Sequence, residues 1–501
     1  MSEDPSFVVQ RRTFVPDWTV GYVLAVAAAT LFFCVAFIAY TYGSVSPDIS
    51  AFIALGYAVL VVLAALTMIM GGGGMAALPF FLIGTALFFG AGTYLSITVS
   101  GSEKHFTEGQ QWQMLPQVNM VNATAILCVV LAAGTFCAAR PHQDRRMPPI
   151  SKRLEVMKPL LMFVTAAGLF VVALEWLTFP RISNISWSSV MSMAESIPVF
   201  AIFIGCAIWT SIGRLSKAAI ILLIVLIAVE GLLSARKLTT MMPLLAASLG
   251  LWIGERHRFI AAMLAVLTIW LYMAMLASFV PQIRGHVMYD PINNTIAERA
   301  SIISDVIDTI DEIEVDESQH GILSRFSPTQ FSAHFISSYD NNYPGESLDN
   351  VFIVLVPRIF WPEKPIINPG KEFDTVWRDW DIFSSLAIGF PAEAYWNNGW
   401  TAVVFVSIYI GLMLGWFSRK WFLFRRDGWT HGGIFILSPL VVKSALWVES
   451  NIVGAYVGGW IKYVLMILAI DFSIRAFLYI REQFRESFQD PLPVDMTPRT
   501  I

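Results

Sequence analysis

Residues 18–42 have the sequence WTVGYVLAVAAATLFFCVAFIAYTY, which contains no charged side chain. An α-helix rises about 1.5 Å per residue, so about 20 apolar residues cross the hydrocarbon core of a bilayer. Because that core offers no water to backbone N–H and C=O groups, a helix is the conformation that satisfies them within one segment. The stretch therefore predicts a transmembrane helix. The segment before it is polar, so we expect no cleavable signal peptide.

The composition of the whole chain also indicates a membrane protein. Of its 501 residues, 56% are hydrophobic and 14% are charged, whereas soluble domains contain about 25% charged residues. The formal net charge is −4, and no basic stripe with interleaved aromatic residues is present, which argues against nucleic acid as a partner. The four cysteines lie in apolar runs without disulfide or metal spacing, so we expect small core side chains at Cys34, Cys128, Cys137 and Cys206.

Eleven more apolar stretches have spanning length, so the sequence predicts an all-α polytopic membrane protein with about twelve transmembrane helices. No internal repeat is visible among them. The further stretches are 50–70, 75–99, 115–139, 158–179, 196–213, 218–235, 238–254, 259–280, 401–418, 432–448 and 455–474.

The basic residues predict the orientation of these helices. Most of the 33 Lys and Arg residues fall on the side of the N-terminus, as the positive-inside rule requires of cytoplasmic loops. Both termini are therefore expected in the cytoplasm. Three parts follow: residues 1–280 with nine helices and short loops, residues 281–400 as one large periplasmic loop containing helices, and residues 401–501 with three helices and a cytoplasmic tail.

The first part of this loop predicts an amphipathic helix. Between residues 296 and 315, apolar residues recur at helical spacing and acidic residues fill the positions between them. The acidic face is either solvated or a divalent-metal site. Because it lacks the glycine and loop spacing of a calcium motif, we predict no metal site. The apolar positions are Ile296, Ala300, Ile303, Ile307 and Ile310.

Two polar, aromatic stretches of the loop suit a carbohydrate. Residues 339–343 (YDNNY) and 393–400 (EAYWNNGW) combine rings, hydroxyls and amides, which contact the faces and hydroxyls of sugars. Turn chemistry gives a similar composition, and helix capping explains a carboxylate there as well as general-base catalysis does. The candidates are Glu393 as the base and Tyr339, Tyr395 and Asn398 as substrate-binding residues.

Residues 357–365 have the sequence PRIFWPEKP and are stiff as well as charged. The three prolines fix their φ angles at little entropic cost, which holds Arg358 and Lys364 in set directions. Phe360 and Trp361 are suited to anchor the segment in the bilayer interface. Alternatively, the two basic side chains contact lipid headgroups.

Another group of basic residues lies where the positive-inside rule does not place them. The turn SARK (234–237) joins two predicted spans, and Glu230 in the preceding span is an alternative ion-pair partner for its basic residues. Guanidinium groups suit phosphate oxygens and stabilise a leaving pyrophosphate. The sequence thus predicts a cationic site for a lipid pyrophosphate, made of Arg236, Lys237, Arg284, Arg325, Arg358 and Lys364.

PRIFWPEKP is preceded by GES (345–347) and followed by Gly370, Phe373 and AEAYWNNGW (392–400). This pattern resembles the outer loop of bacterial O-antigen and oligosaccharide repeat unit polymerases of the Wzy type, and SARK resembles the arginine turn of the same family. The resemblance implies an inner-membrane glycosyltransferase of the GT-C superfamily. Such an enzyme transfers a growing glycan, with inversion, from undecaprenyl pyrophosphate to the non-reducing end of a lipid-linked repeat unit at the periplasmic face.

The resemblance also implies the chemistry of the site. It implies a reaction without metal or cofactor, with lipid-linked glycan donor and acceptor, membrane lipids and a chain-length regulator protein as partners. The roles of the family's arginines carry onto Arg236 and Arg358, less directly onto Arg284 and Arg325. With Glu393 as base, Arg236 and Arg358 form the predicted catalytic set.

Two other functions stay open. The related O-antigen ligases, which transfer glycan to lipid A core, use an outer-loop histidine, for which His286 and His334 are candidates, although a single histidine is more often a packing residue. Transporters of polysaccharide or lipid-linked sugars also commonly have twelve helices, but they keep charged residues at mid-membrane. Here the intramembrane charges are few and lie near the ends of their spans, at Glu230, Lys443, Glu449 and Lys462.

Overall fold

The computed structural model of the protein describes residues 17–43, 45–98, 113–137, 158–178, 194–234, 237–254, 257–271, 283, 296–309, 328–356, 361, 363–364 and 388–489. Within these ranges the long elements are all helices. In chain order they are α1 (Trp18–Tyr42), α2 (Pro47–Met68), α3 (Ala77–Thr85), α4 (Gly92–Thr98), α5 (Leu115–Cys137), α6 (Lys158–Thr178), α7 (Ser196–Ala207), α8 (Arg214–Leu233), α9 (Lys237–Ile253), α10 (Arg258–Leu271), α11 (Ile296–Thr309), α12 (Thr329–Asp340), α13 (Phe390–Asp427), α14 (Gly432–Leu446) and α15 (Trp460–Gln489).

The helices have the lengths and composition of membrane spans. Eight helical stretches in the described residues are long and apolar enough to cross a bilayer, and one of these, Phe390–Leu446, contains two of the predicted spans. Three shorter apolar helices, Ser196–Ala207, Thr239–Ile253 and Arg258–Leu271, occupy further predicted positions. The chain is thus a helical membrane protein. The count of twelve crossings and the side on which the large loop lies stay predictions.

Small residues bring the central helices together. Gly411 and Gly415 of α13 face Val129 and Ala133 of α5 so closely that a Cβ on either glycine would meet a backbone carbonyl. This is the small-residue spacing through which membrane helices approach each other. The helix pair α5–α13 therefore forms the centre of the bundle.

Large apolar side chains cover the outside of the bundle, as expected for helices in lipid. Leu31 and Phe37 of α1, for example, are exposed beside Cys34. The expectation of a core position is therefore wrong for Cys34, whereas Cys206 is buried. Cys137 has only its backbone described.

The helix α13 begins earlier than the sequence analysis predicted. It starts at Phe390, so the block EAYWNNGW is helical rather than part of a loop before residue 401. Its axis breaks where Asn398 and Gly399 leave helical geometry, with φ of 54° at Gly399. The predicted boundary at residue 400 thus coincides with a kink inside one helix.

The helix predicted at 296–315 is present as α11 over Ile296–Thr309, with a different buried face. Arg299 and Val306 are buried, Ile302 and Ile303 pack beside Val306, and Ala300 is exposed. Arg299 donates to the carbonyl of Leu233, at the last residue of α8 (3.3 Å). The acidic helix is therefore fixed to the end of α8 by a basic residue in its own buried stripe.

Candidate functional site

We define the loop end of the bundle as the end that carries residues 328–356. Gly389, just before α13, donates its N–H to the carbonyl of Glu449, just after α14 (3.4 Å). The end of α14 and the beginning of α13 thus meet there. Many of the residues singled out from the sequence lie in two places at this end, an aromatic platform and a charged cavity.

Glu393 connects three chain segments at the loop end. Its side chain is 0% exposed. The Ser347 hydroxyl donates to Oε1 (2.8 Å), and the backbone N–H of Ile452 donates to Oε2 (2.8 Å). With both oxygens engaged and no exposed surface, the carboxylate cannot reach a sugar hydroxyl in this geometry. The structure shows Glu393 as a buried link between chain segments, and its role as general base stays a prediction that this burial argues against.

Asn397 completes the same connection. Its amide donates to the Ser347 hydroxyl (2.9 Å) and to the carbonyl of Glu393 (2.8 Å). Its side-chain oxygen accepts from the N–H of Leu348 (2.9 Å). The serine of GES and the acid of EAYWNNGW, two motifs far apart in sequence, are thus neighbours in space.

The aromatic platform consists of Tyr40, Tyr339, Tyr395 and Trp400. The ring centroids of Tyr339 and Tyr395 are 5.4 Å apart, and those of Tyr395 and Trp400 are 5.3 Å apart, both edge to face. Tyr40 extends the row at 6.5 Å from Trp400. The structure therefore brings together two of the predicted substrate-binding residues, Tyr339 and Tyr395. Asn398, the third, is exposed at the kink next to Gly399.

Asp340 is the carboxylate of this platform, and the sequence analysis did not single it out. The Tyr395 hydroxyl donates to Asp340 Oδ1 (2.9 Å), and the Gln117 amide donates to Oδ2 (2.8 Å). Asp340 is nevertheless exposed. Two donors from two other helices thus orient an acid that solvent and ligands can reach. Its sequence signal was its position in YDNNY, between a platform tyrosine and two amides.

Of the residues predicted to form the cationic site, two lie within the described residues and four lie outside them. Lys364 donates to the carbonyls of Val354 (3.0 Å) and Val356 (2.9 Å), so its ammonium closes the turn that precedes it. Lys237 is described as the first residue of α9. The other predicted basic residues, Arg236, Arg284, Arg325 and Arg358, lie outside the described residues, as does His286.

The charged cavity has a volume of about 260 Å³ and lies between helices α6, α7, α8, α9, α14 and α15. It contains three glutamates and two lysines, contributed by different helices. Most of them lie within one turn of a helix end, which places the cavity near the loop end. Its charged and hydroxyl-bearing lining residues are Glu175, Glu195, Ser196, Glu230, Thr239, Lys443, Lys462 and Tyr463.

The charges of this cavity differ in how they are bound. Among the described residues, the ammonium groups of Lys443 and Lys462 form no hydrogen bond and no close ion pair, although the field of Glu195 acts on both. The three glutamates each interact with other groups, although Oε1 of Glu175 is buried without a hydrogen bond. Within the described ranges, no three acidic, His or Cys side chains converge as metal ligands. The sequence signal for this cavity was the presence of charges inside apolar spans, with Lys443 and Lys462 among them.

Comparison with protein families finds a match for this chain. Residues 129–420 match a family model described as "Domain of unknown function (DUF8712)", which is more than half of the 501 residues. The matched segment includes Tyr339, Asp340, Tyr395 and Trp400. Neither a curated protein nor a solved structure matches the chain.

Proposed function

We propose that this chain, which belongs to the family described as a domain of unknown function (DUF8712), is a membrane glycosyltransferase. In this proposal it polymerises lipid-linked glycan repeat units. The proposed donor is a growing glycan on undecaprenyl pyrophosphate, and the acceptor is the non-reducing end of a second lipid-linked unit. The observation that carries this proposal is the aromatic platform with its oriented carboxylate. It lies at the end of a helical membrane bundle, where a lipid-linked glycan emerges from the bilayer.

The platform suits a sugar because its parts match the two surfaces of a pyranose. Tyr395 is buried and its hydroxyl already donates to Asp340. The half-buried rings of Tyr339 and Trp400 are therefore the ones that can contact the apolar C–H face of a sugar. Asp340 adds an exposed acceptor for sugar hydroxyls. An isolated cluster of core aromatics would lack such an exposed, oriented acid.

The reaction needs one base and a stabilised leaving group. In the proposed step, the acceptor hydroxyl oxygen forms a bond to the anomeric carbon while the bond from that carbon to the phosphate oxygen breaks. Asp340 takes the hydroxyl proton in place of the buried Glu393, and the pyrophosphate leaves with the electron pair. Attack from the face opposite the leaving group inverts the anomeric centre. Arg236 and Arg358 remain the proposed stabilisers of the departing charge.

The test is a polymerisation assay with purified protein in detergent and its lipid-pyrophosphate-linked repeat unit, analysed as a ladder on a gel. Asp340→Asn removes the base and keeps the shape of the side chain. The matched control is Asp349→Asn, which changes another exposed acid of the same segment. We expect a ladder from the wild type and the control and at least about 100-fold slower extension from Asp340→Asn, the usual size of a general-base contribution. Equal ladders from all three proteins would refute the role of Asp340, and no ladder from folded wild type would refute polymerisation.

An O-antigen ligase would differ from the proposed polymerase only in the acceptor, which would be lipid A core instead of a lipid-linked repeat unit. Adding lipid A core oligosaccharide to the same assay separates the two, because a ligase would label the core and leave the repeat unit unextended. His334, the described histidine of the ligase alternative, lies on α12 with the Ser338 hydroxyl bound to its carbonyl (3.0 Å).

Transport is the second candidate, and the charged cavity is the observation that favours it. Transporters bind their substrates among charged side chains between membrane helices. If transport is the function, vesicles that contain the protein will move labelled lipid-linked repeat units across the bilayer without extending them.

A further inference from the structure

We propose that an apolar patch on the segment after α12 contacts the acyl chains of the surrounding bilayer. The patch consists of Phe352, Leu355, Val356 and Trp361, whose side chains are all exposed. Its segment then lies in the membrane interface instead of in water. The proposal does not depend on which reaction the protein catalyses, because it uses neither the aromatic platform nor the charged cavity.

The first observation is the exposure of large apolar side chains. Phe352 is 79% exposed, as much as Phe472, which is 75% exposed in the membrane span Ile452–Ile480. The other three side chains of the patch are exposed as well. An exposed apolar surface of this kind is typical of a contact with a membrane or with another protein. The surroundings of the patch distinguish between these two partners.

The second observation is the depth of the segment. The turn Ile353–Leu355 packs on the helical segment Ile452–Gly459, with which a membrane span begins. A Cβ on Gly458 would lie 3.0 Å from a methyl carbon of Val354. Gly458 lies more than one helical turn into that span. The turn is therefore beside a membrane helix, at the edge of the hydrocarbon, where lipid is the neighbour.

The third observation is the hydrogen bonding of the backbone. The N–H groups of Leu355 and Val356 each donate to the carbonyl three residues earlier (3.2 and 3.1 Å). The Lys364 ammonium donates to the carbonyls of Val354 (3.0 Å) and Val356 (2.9 Å). Backbone groups near the hydrocarbon need such partners within the protein, whereas water satisfies them in an ordinary surface loop. The turn therefore meets the requirement for backbone at this depth.

The fourth observation is the position of the charges. Glu346 and Asp349 precede the patch and Glu363 follows it, and all three are exposed. The described residues between Asp349 and Glu363 carry no charged side chain. Carboxylates are costly in hydrocarbon and stay in water, whereas tryptophan favours the membrane interface. The charges thus limit the lipid contact to the apolar patch itself.

The attachment of the segment connects this contact to the candidate site. The Ser347 hydroxyl donates to Glu393 (2.8 Å) and accepts from the Asn397 amide (2.9 Å). The indole N–H of Trp396 donates to the carbonyl of Tyr343 (3.0 Å). The segment that carries the patch is therefore fixed to the beginning of α13. Lipid contact at the patch sets the level of the aromatic platform relative to the bilayer surface.

The test measures what surrounds position 352 in the full-length protein, reconstituted into phosphatidylcholine vesicles. The four native cysteines are replaced by alanine, and a nitroxide spin label is attached to Phe352→Cys. Collisions with dioxygen report lipid and collisions with a water-soluble nickel chelate report water, both read by electron paramagnetic resonance. Asp349→Cys is the control for water, and Leu465→Cys, at an exposed position of α15, is the control for lipid.

We expect the label at position 352 to respond to dioxygen as the label at position 465 does. The nickel chelate should reach position 349 and leave position 352 unaffected. Equal access of the chelate to positions 352 and 349 would overturn the proposal, because the patch would then lie in water. Shielding of position 352 from both reagents would overturn it too, because a protein, such as a second copy of this chain, would then cover the patch.

A second measurement uses the protein with its native cysteines. Phe352→Asp places a carboxylate where we expect acyl chains, and Phe352→Leu is the matched control that keeps the position apolar. In the same vesicles, Phe352→Asp should lower the unfolding temperature and Phe352→Leu should not, because a charge is costly in hydrocarbon. Equal unfolding temperatures for the two variants would contradict lipid contact. Neither measurement involves glycan extension, so failure of the proposed polymerase would leave this result standing.

Discussion

Glu393 and Lys443 are both charged residues between helices at the same end of the bundle, yet their surroundings are opposite. Each oxygen of Glu393 accepts a hydrogen bond at 2.8 Å from a different chain segment. The Lys443 ammonium has no such partner in the described residues. A buried charge with complete hydrogen bonding holds structure together, whereas Lys443 is held only by the field of a neighbouring charge, Glu195. The comparison therefore separates a charge that is hydrogen-bonded on every side from one that is compensated at a distance.

The largest effect is expected from Glu393→Ala. This change leaves the Ser347 hydroxyl and the Ile452 N–H without an acceptor in a buried place, and each unsatisfied donor costs about 1–3 kcal/mol. We expect a loss of about 3 kcal/mol or more in the free energy of unfolding, seen as a lower unfolding temperature in detergent. Glu393→Gln keeps one acceptor, so its unfolding temperature should lie between those of the wild type and Glu393→Ala. Unchanged stability with abolished polymerisation would instead restore Glu393 as the general base.

A comparison of Lys420 with Lys443 tests the same contrast, between a hydrogen-bonded charge and one without a hydrogen bond, in a single residue type. Lys420 at the opposite end of the bundle donates to Asp471 (2.9 Å), and the two side chains are 13% and 5% exposed. Asp471 also accepts from the N–H of Gly433 at the beginning of α14 (2.8 Å). Lys420→Met leaves a buried carboxylate without its cation, which costs about 3 kcal/mol. Lys443→Met should leave stability unchanged or raise it.

The two variants are compared by thermal unfolding in the same detergent. A loss at Lys443 as large as the loss at Lys420 would show that the field of Glu195 stabilises Lys443 as much as a hydrogen-bonded ion pair stabilises Lys420.

The sequence predicted the helices of this protein far better than their contacts. Apolar run length alone places a membrane helix, because the bilayer excludes other backbone conformations. Each predicted span contains a helix in the described residues for this reason. The beginning of α13 was missed because EAYWNNGW has the composition of a loop. In the structure this block is helical, and its Trp396 packs against Phe335 of α12 (ring centroids 4.6 Å apart).

The site was less predictable because its contacts join distant segments. Tyr339 and Tyr395 were chosen for their chemistry, and nothing in the sequence shows that their rings meet. Asp340 depends on Gln117 and Tyr395, which lie on two other helices. Burial of Glu393 also depends on Ile452, far along the chain. Spacing reveals neighbours on one helix, whereas partners across a bundle follow from packing alone.

Gly399→Ala is expected to cause the next largest loss of stability. It acts on the aromatic platform itself. Gly399 has φ of 54°, and a Cβ there would lie 2.9 Å from a Tyr339 ring carbon. Strain of this backbone conformation costs about 1–3 kcal/mol for other residues. We expect a lower unfolding temperature and slower glycan extension.

The control for this glycine is Gly56→Ala in α2, where nothing lies near a new Cβ. Alanine stabilises a helix by up to about 1 kcal/mol relative to glycine, so this variant should not lose stability. A loss at Gly56 equal to that at Gly399 would remove the explanation based on the platform.

Tyr395→Phe is the smallest and most selective change. It removes the hydroxyl that donates to Asp340 and keeps the ring contacts with Tyr339 and Trp400, so stability should fall by about 1 kcal/mol. Tyr409→Phe is the matched control, because that hydroxyl also donates one hydrogen bond, to the carbonyl of Tyr456 (3.1 Å), away from the platform. If Tyr395 orients the base, its variant extends glycans more slowly than the control although both unfold at similar temperatures. Equal extension rates in the two variants would mean that the Tyr395 hydroxyl contributes stability alone, and Asp340 would lose its orienting partner as an argument for catalysis.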